Sequence, residues 1–167
     1  KQKTFNVANM EEMMSSDWMK ALVSYLQAIS EDLLLRCREA ISICEEADGP
    51  GAYLAALRSD EEQLKSLTAV KTYEDYGKLL GQFVFARLSG KKEEGVSEDK
   101  KNRVKAIRDE IKKTISDLVK NYFFQEPEKM FQDMKAMAKP VEVLIRLCRE
   151  FSEEYAKRKA DKNIVDF

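Results

Sequence analysis

Seven basic side chains within fourteen residues are the part of this sequence whose type and spacing best suit binding chemistry. Between residues 100 and 120, eight Lys and Arg residues stand against three acidic ones, although the whole chain of 167 residues has a net charge of −1. Contact with DNA phosphates requires positive charge and no base-reading geometry. We therefore predict a non-sequence-specific DNA contact at Lys100, Lys101, Arg103, Lys105, Arg108, Lys112 and Lys113.

The acidic residues are concentrated in a different part of the chain. Residues 31–62 carry nine acidic side chains against three Arg. Such an asymmetry indicates where an anionic partner is tolerated and where it is not. A second interpretation stays open at this point, in which both stretches are ordinary solvated helix faces.

No catalytic pattern accompanies the basic run. A phosphate-binding loop ends in Gly-Lys-Ser/Thr, whereas the pair Gly90-Lys91 is followed by a second Lys. Adjacent carboxylates such as Glu61 and Glu62 point about 100° apart on a helix, so they do not converge on one substrate. The chain also contains no histidine, the usual general base and metal ligand. We therefore expect no active site, cofactor or metal within these residues.

Composition restricts the class of protein. Charged residues make up 35% of the chain and hydrophobic ones 44%, with 6 Gly and 3 Pro, which is typical of a helical globular protein. No apolar run approaches the roughly 20 residues that span a bilayer, and the first residues do not form a signal peptide. We expect a cytoplasmic protein without membrane contact. Three cysteines without a closely spaced pair are interpreted as core residues: Cys37, Cys44 and Cys148.

Apolar spacing predicts an all-α fold, an irregular bundle of about five or six helices in which two long helices pack antiparallel. The first long helix begins at the N-cap Ser16, buries Trp18, Leu22, Tyr25 and Ile29 among others, and ends before Gly49. We expect one domain over residues 1–167, with a flexible loop at 89–97. The other predicted helices cover 53–67, 72–80, 97–122, 128–138 and 141–155.

The last two predicted helices share one apolar stripe. Pro127 suits the first helical position, whereas Pro140 is expected to kink or restart the helix. An apolar stripe at helical spacing is most simply interpreted as core. The residues assigned to the core on this basis are Met130, Phe131, Met134, Met137, Val141, Leu144, Leu147, Cys148, Phe151 and Tyr155.

Three tracts of the sequence resemble AddA-like helicase/nucleases, which are related to the UvrD- and RecB-like DNA helicases. They are Asn-Tyr-Phe-Phe-Gln-Glu-Pro-Glu at 121–128, Met-Ala-Lys-Pro-Val at 137–141, and a charged run at 155–167 that ends in Asp166-Phe167. In these helicases a helical insertion returns to the ATPase core through an Asp-Phe-x-Asp-Leu sequence. The resemblance extends from about Cys37 onward, although residues 85–97 are too divergent to align.

The resemblance implies that residues 1–167 are a non-catalytic helical subdomain, the 1B insertion, excised from a larger ATP-dependent DNA helicase/exonuclease of double-strand-break processing and recombinational repair. ATP and Mg²⁺ would bind elsewhere in that parent protein, and an AddB-type subunit would be its partner. Residues 162–167 would begin the return to the ATPase core. The 1B insertion flanks the path of the DNA, which favours the basic run as a DNA guide.

A rival interpretation is a free-standing helical adaptor that binds a partner protein through an amphipathic groove. The gene distinguishes the two. A reading frame that continues past Phe167, with a phosphate loop upstream of Lys1, supports the helicase, whereas a stop codon after Phe167 supports the adaptor.

Overall fold

The computed structural model describes residues 7–91 and 93–162. This described part contains helices and no strand, which confirms the predicted all-α fold. None of its helices is both long enough and apolar enough to cross a membrane. The helices are α1 (Met10–Met14), α2 (Asp17–Glu45), α3 (Leu54–Thr68), α4 (Tyr73–Gln82), α5 (Glu98–Tyr122) and α6 (Pro127–Asp161), with a 3₁₀ turn at Gly51–Tyr53 before α3.

Three helices begin at the N-caps that the sequence predicts. The side chains of Ser16, Thr72 and Ser97 each accept a hydrogen bond from the backbone N–H three residues later, at 3.2 to 3.4 Å. Such a bond satisfies one of the N–H groups that the first turn of a helix leaves without a partner. The starts of α2, α4 and α5 are therefore fixed by local chemistry.

The chain divides into two compact units, one of residues 14–125 and one of residues 1–13 with 126–167. In the first unit, α2 and α5 are antiparallel. Tyr25 near the start of α2 lies beside Tyr122 at the end of α5, with ring centroids 6.0 Å apart, whereas Glu39 near the end of α2 pairs with Arg103 near the start of α5. The core between α2, α3, α4 and α5 contains Leu26, Leu33, Cys37, Ala40, Leu57, Leu64, Leu67, Tyr76, Val104, Ile111 and Leu118.

The first half of α2 buries a different face from the predicted one. Met19, Val23 and Ser30 are buried, whereas Tyr25 is 50% exposed and Trp18, Leu22 and Ile29 are half-buried. The chain between α3 and α4 lies beside this end of α2, where the Gln27 side chain donates to the Val70 carbonyl at 2.9 Å. Several apolar residues have helical spacing here, and this tertiary contact selects the face.

The connection between α4 and α5 follows α3 backwards. Gln63 of α3 makes two hydrogen bonds to the backbone of Val84, at 2.9 and 3.0 Å. Further along the connection, the Glu93 carboxylate accepts from the Ala52 N–H at 2.9 Å. The Ser97 N–H then donates to the Asp48 carbonyl at 2.9 Å. The connection therefore brings the start of α5 to the same end of the unit as the start of α3. Flexibility at 89–97 stays a prediction.

The second unit contains the largest departure from the prediction. Helix α6 runs without a break from Pro127 to Asp161, with Pro140 inside it, and none of its residues is buried. The predicted restart at Pro140 is wrong, because proline costs the helix one hydrogen bond while its fixed φ remains helical. The core assignment of the α6 stripe is also wrong: Leu144 is 60% and Phe151 70% exposed, and Cys148 is exposed.

Candidate nucleic-acid interface

The predicted DNA-contact residues all lie on α5 or at its first turn, and the buried face of α5 determines where each one points. Val104, Ile111, Ile115 and Leu118 are buried, at spacings of three, four and seven residues that keep one side of a helix inward. The basic residues are therefore distributed over the remaining sides and do not form one surface.

The side of α5 that faces α2 is neutralised by the acidic residues of the chain. The Arg103 guanidinium lies 2.6 Å from a Glu39 carboxylate oxygen. Lys100 pairs with both Glu46 and Asp48, and the hydrogen bond with Asp48 raises the pKa of this ammonium group. Arg103 and Lys100 are thus already engaged by the acidic stretch around the end of α2.

Arg108 is buried inside the first unit. Its Nε lies 2.6 Å from Oδ2 of Asp60, and its Nη2 lies 3.2 Å from Oδ1 of Asp60 and 2.6 Å from the Ala86 carbonyl. The guanidinium carbon is 5.5 Å from the centre of the Phe85 ring. With side-chain exposures of 2% for Arg108 and 1% for Asp60, this guanidinium is not accessible to a phosphate in this fold.

Three lysines lie together on the side of α5 away from α2. Lys101, Lys105 and Lys112 are separated by four and seven residues, which places them along one side of the helix. Lys105 is exposed and forms no salt bridge with any residue that the structure describes. Lys101 lies 2.7 Å from Glu98, and Lys112 lies 3.4 Å from Asp109. This side of α5 therefore keeps a modest positive excess.

Lys113 points to a different place. It lines a groove between α2 and α5 together with Asp32, Glu110 and Asp117. Acidic neighbours on both helices lower the local positive potential there. Lys113 therefore contributes less than Lys105 to any anion-binding surface. The other candidate residues, Asp166 and Phe167, lie outside the described residues.

The sequence contains a signal for the inward direction of Arg108. Asp60 lies three residues after the buried Leu57 and four before the buried Leu64, on the apolar side of α3. A carboxylate in that position needs a buried partner. Glu61, beside it, is only 6% exposed and is paired with Arg38, Arg58 and Lys65.

Comparison with known proteins gives one consistent class, the ATP-dependent helicase/nucleases, although no family model matches the chain. Within this class, the relatives that match are the AddA chains. The sequence is 38% identical over 172 residues to AddA of Lachnoclostridium phytofermentans. It is 30% identical over 173 residues to AddA of Clostridium beijerinckii and 32% identical over 172 residues to that of Oceanobacillus iheyensis.

These matches include 99–100% of the chain but only 12–14% of the length of the relatives. The resemblance to AddA is thereby confirmed, and it extends over the whole chain instead of beginning near Cys37. The divergent stretch at 85–97 is included within these alignments.

Proposed function

We propose that the chain is a non-catalytic helical subdomain of a longer AddA-like ATP-dependent DNA helicase/exonuclease. The observation that carries this proposal is the similarity over 99–100% of the chain to about one eighth of each relative. In this proposal the parent protein processes double-strand breaks for recombinational repair and works with an AddB-type subunit. ATP and Mg²⁺ bind to other parts of the parent, and Asp166 and Phe167 re-enter its ATPase core.

The role that we propose for these residues is to guide DNA and to pack against the motor core. The support for DNA guidance is the side of α5 that bears Lys101, Lys105 and Lys112, because it faces away from the acidic α2 helix. Lys100, Arg103 and Arg108 are held by carboxylates, so they act in the fold. A contact of this kind is independent of DNA sequence and weakens with salt.

Charge reversal in the intact helicase tests this role. Lys101→Glu combined with Lys105→Glu is expected to weaken duplex binding and to reduce the slope of log affinity against log salt by about two units, at about 0.9 per phosphate contact. Basal ATP hydrolysis should remain near that of the parent protein. Fluorescence anisotropy at several salt concentrations measures both affinity and slope.

A matched double reversal separates a local contact from a general charge effect. Lys71→Glu with Lys78→Glu changes the net charge by the same amount at two exposed positions outside α5. The control should leave the salt slope unchanged. If the α5 variant keeps the parent affinity and slope, this side of α5 is only solvated surface and the role is reduced to packing.

The adaptor interpretation makes a different statement about the gene. A reading frame that continues on both sides of these 167 residues, with a phosphate loop upstream, supports the helicase proposal. A stop codon directly after residue 167 contradicts it, whatever the DNA affinity of α5.

A further inference from the structure

Helix α6 carries a stripe of large apolar side chains exposed to solvent. The exposed fractions are 57% for Met137, 60% for Leu144, 53% for Leu147, 70% for Phe151 and 51% for Tyr155. The rings of Phe151 and Tyr155 stack at 5.9 Å. Contiguous exposed apolar surface of this kind marks an interaction site in a stable protein.

The spacing of the stripe indicates the shape of its partner. Apolar residues alternate at intervals of four and three: Met130, Met134, Met137, Val141, Leu144, Cys148, Phe151 and Tyr155. This is the pattern of a coiled-coil seam, in which each side chain inserts between residues of a facing helix. The seam covers 26 residues, roughly 39 Å of helix at about 1.5 Å per residue.

The charges beside the stripe argue against a polyanion or an anionic membrane as its partner. Residues 127–161 carry eight basic and seven acidic side chains, so neither sign dominates. A helix that binds anionic lipid has an excess of Lys and Arg on its polar face. The surface instead fits the apolar face of another helix.

We propose that the α6 stripe is the docking surface for a helix of the same polypeptide, from the part of the longer chain outside residues 1–167. This inference rests on the proposed function. More than four fifths of the length of the relatives lies outside the matched segment, so the same polypeptide supplies ample chain to cover the stripe. A tethered helix also binds at a high effective concentration, which favours it over a second copy or a separate protein.

Cys148 provides a direct reporter, because this exposed thiol lies within the seam. In the intact helicase, maleimide labelling followed by peptide mass spectrometry gives the rate at Cys148 in the native and urea-unfolded states. If a helix covers the stripe, native labelling should be slower on the order of a hundredfold, since reaction then requires local opening. Equal rates in the two states overturn the inference.

Paired variants identify what covers the stripe. Leu144→Asp with Phe151→Asp in the intact chain should abolish most of the protection of Cys148. Lys139→Asp with Arg146→Asp introduces the same side chains on the opposite side of α6 and should preserve it. Similar loss of protection in both variants would show that general unfolding is the cause, and it overturns the inference.

Other occupants give distinct results. Protection that decreases on dilution of the helicase chain alone indicates a second copy, and protection that requires the AddB-type partner indicates a separate protein. Either result overturns the proposal. A gene without sequence beyond these residues contradicts the proposed function itself, whereas a long gene with an unprotected Cys148 contradicts only this inference.

Discussion

Arg108 and Asp60 form a two-point ion pair in the interior of the first unit, with Nε–Oδ2 and Nη2–Oδ1 distances of 2.6 and 3.2 Å. The pair joins α5 to α3, and Arg108 also holds the α4–α5 connection through the Ala86 carbonyl. One basic residue of the α5 run therefore serves the fold, and its charge is balanced before any ligand is present.

Removing one partner of this pair should be costly. Arg108→Ala leaves the Asp60 carboxylate buried without a counter-charge, which we expect to lower the free energy of unfolding by about 3–5 kcal/mol. The control Arg103→Ala removes an exposed pair with Glu39, and about 0.2–1 kcal/mol is expected. Urea unfolding of the 167-residue chain measures both. Similar values for the two variants would show that burial of the pair has no energetic role.

A second comparison tests the core assignments of α5 and α6. Leu118 is 4% exposed and Phe151 is 70% exposed. Leu118→Asp should prevent folding, because burying an unpaired carboxylate costs several kcal/mol out of a total stability of about 5–15 kcal/mol. Phe151→Asp should change the stability of the 167-residue chain by no more than about 0.5 kcal/mol, as at other surface sites. Circular dichroism melts decide. If Phe151→Asp unfolds the chain, the stripe on α6 is already covered within these residues.

Glu61 should make stability depend on acid pH. The hydrogen bond from Arg38, with support from Arg58 and Lys65, lowers the pKa of this carboxyl below its ordinary value of 4.5. The stabilisation is present above the unfolded pKa and is lost as pH falls through the folded pKa. Glu61→Gln should therefore flatten the decrease in unfolding free energy between neutral pH and the acid range. Glu62→Gln, at an exposed neighbour, serves as the control, and an equal effect of both variants would contradict the assignment.

Two glycines should respond in opposite directions to alanine. A Cβ at Gly49 would lie 2.1 Å from the Ile43 carbonyl oxygen, whereas one at Gly81 would meet nothing within 4 Å. Gly49→Ala forces the backbone of the α2–α3 turn to move, at about 1–3 kcal/mol. Gly81→Ala, inside α4, should raise the unfolding free energy by about 0.5–1 kcal/mol. Chemical denaturation of both variants provides the measurement, and a neutral Gly49→Ala would mean that the turn is not restricted by this contact.

Local signals predict the helix starts because Ser16, Thr72 and Ser97 satisfy their own helices. The buried face of α2 and the inward direction of Arg108 are not predictable in the same way, since both depend on contacts between residues that are distant in sequence. For the α6 stripe, periodicity predicts an apolar face correctly. It does not specify whether the covering partner lies within the same 167 residues.

The fastening of residues 84–97 along α3 also determines the order in which the first unit assembles. Short turns favour early closure of α2 on α3, whereas α5 returns to them only after a longer stretch of chain, and loop closure slows with separation. An early α2–α3 hairpin would have to bury Asp60 before Arg108 arrives, which is unfavourable. We expect the hairpin to have no stable existence alone, so that amides of α3 and α5 exchange hydrogen with one common opening free energy. The first unit is then a single cooperative folding unit, although its helices are far apart in sequence.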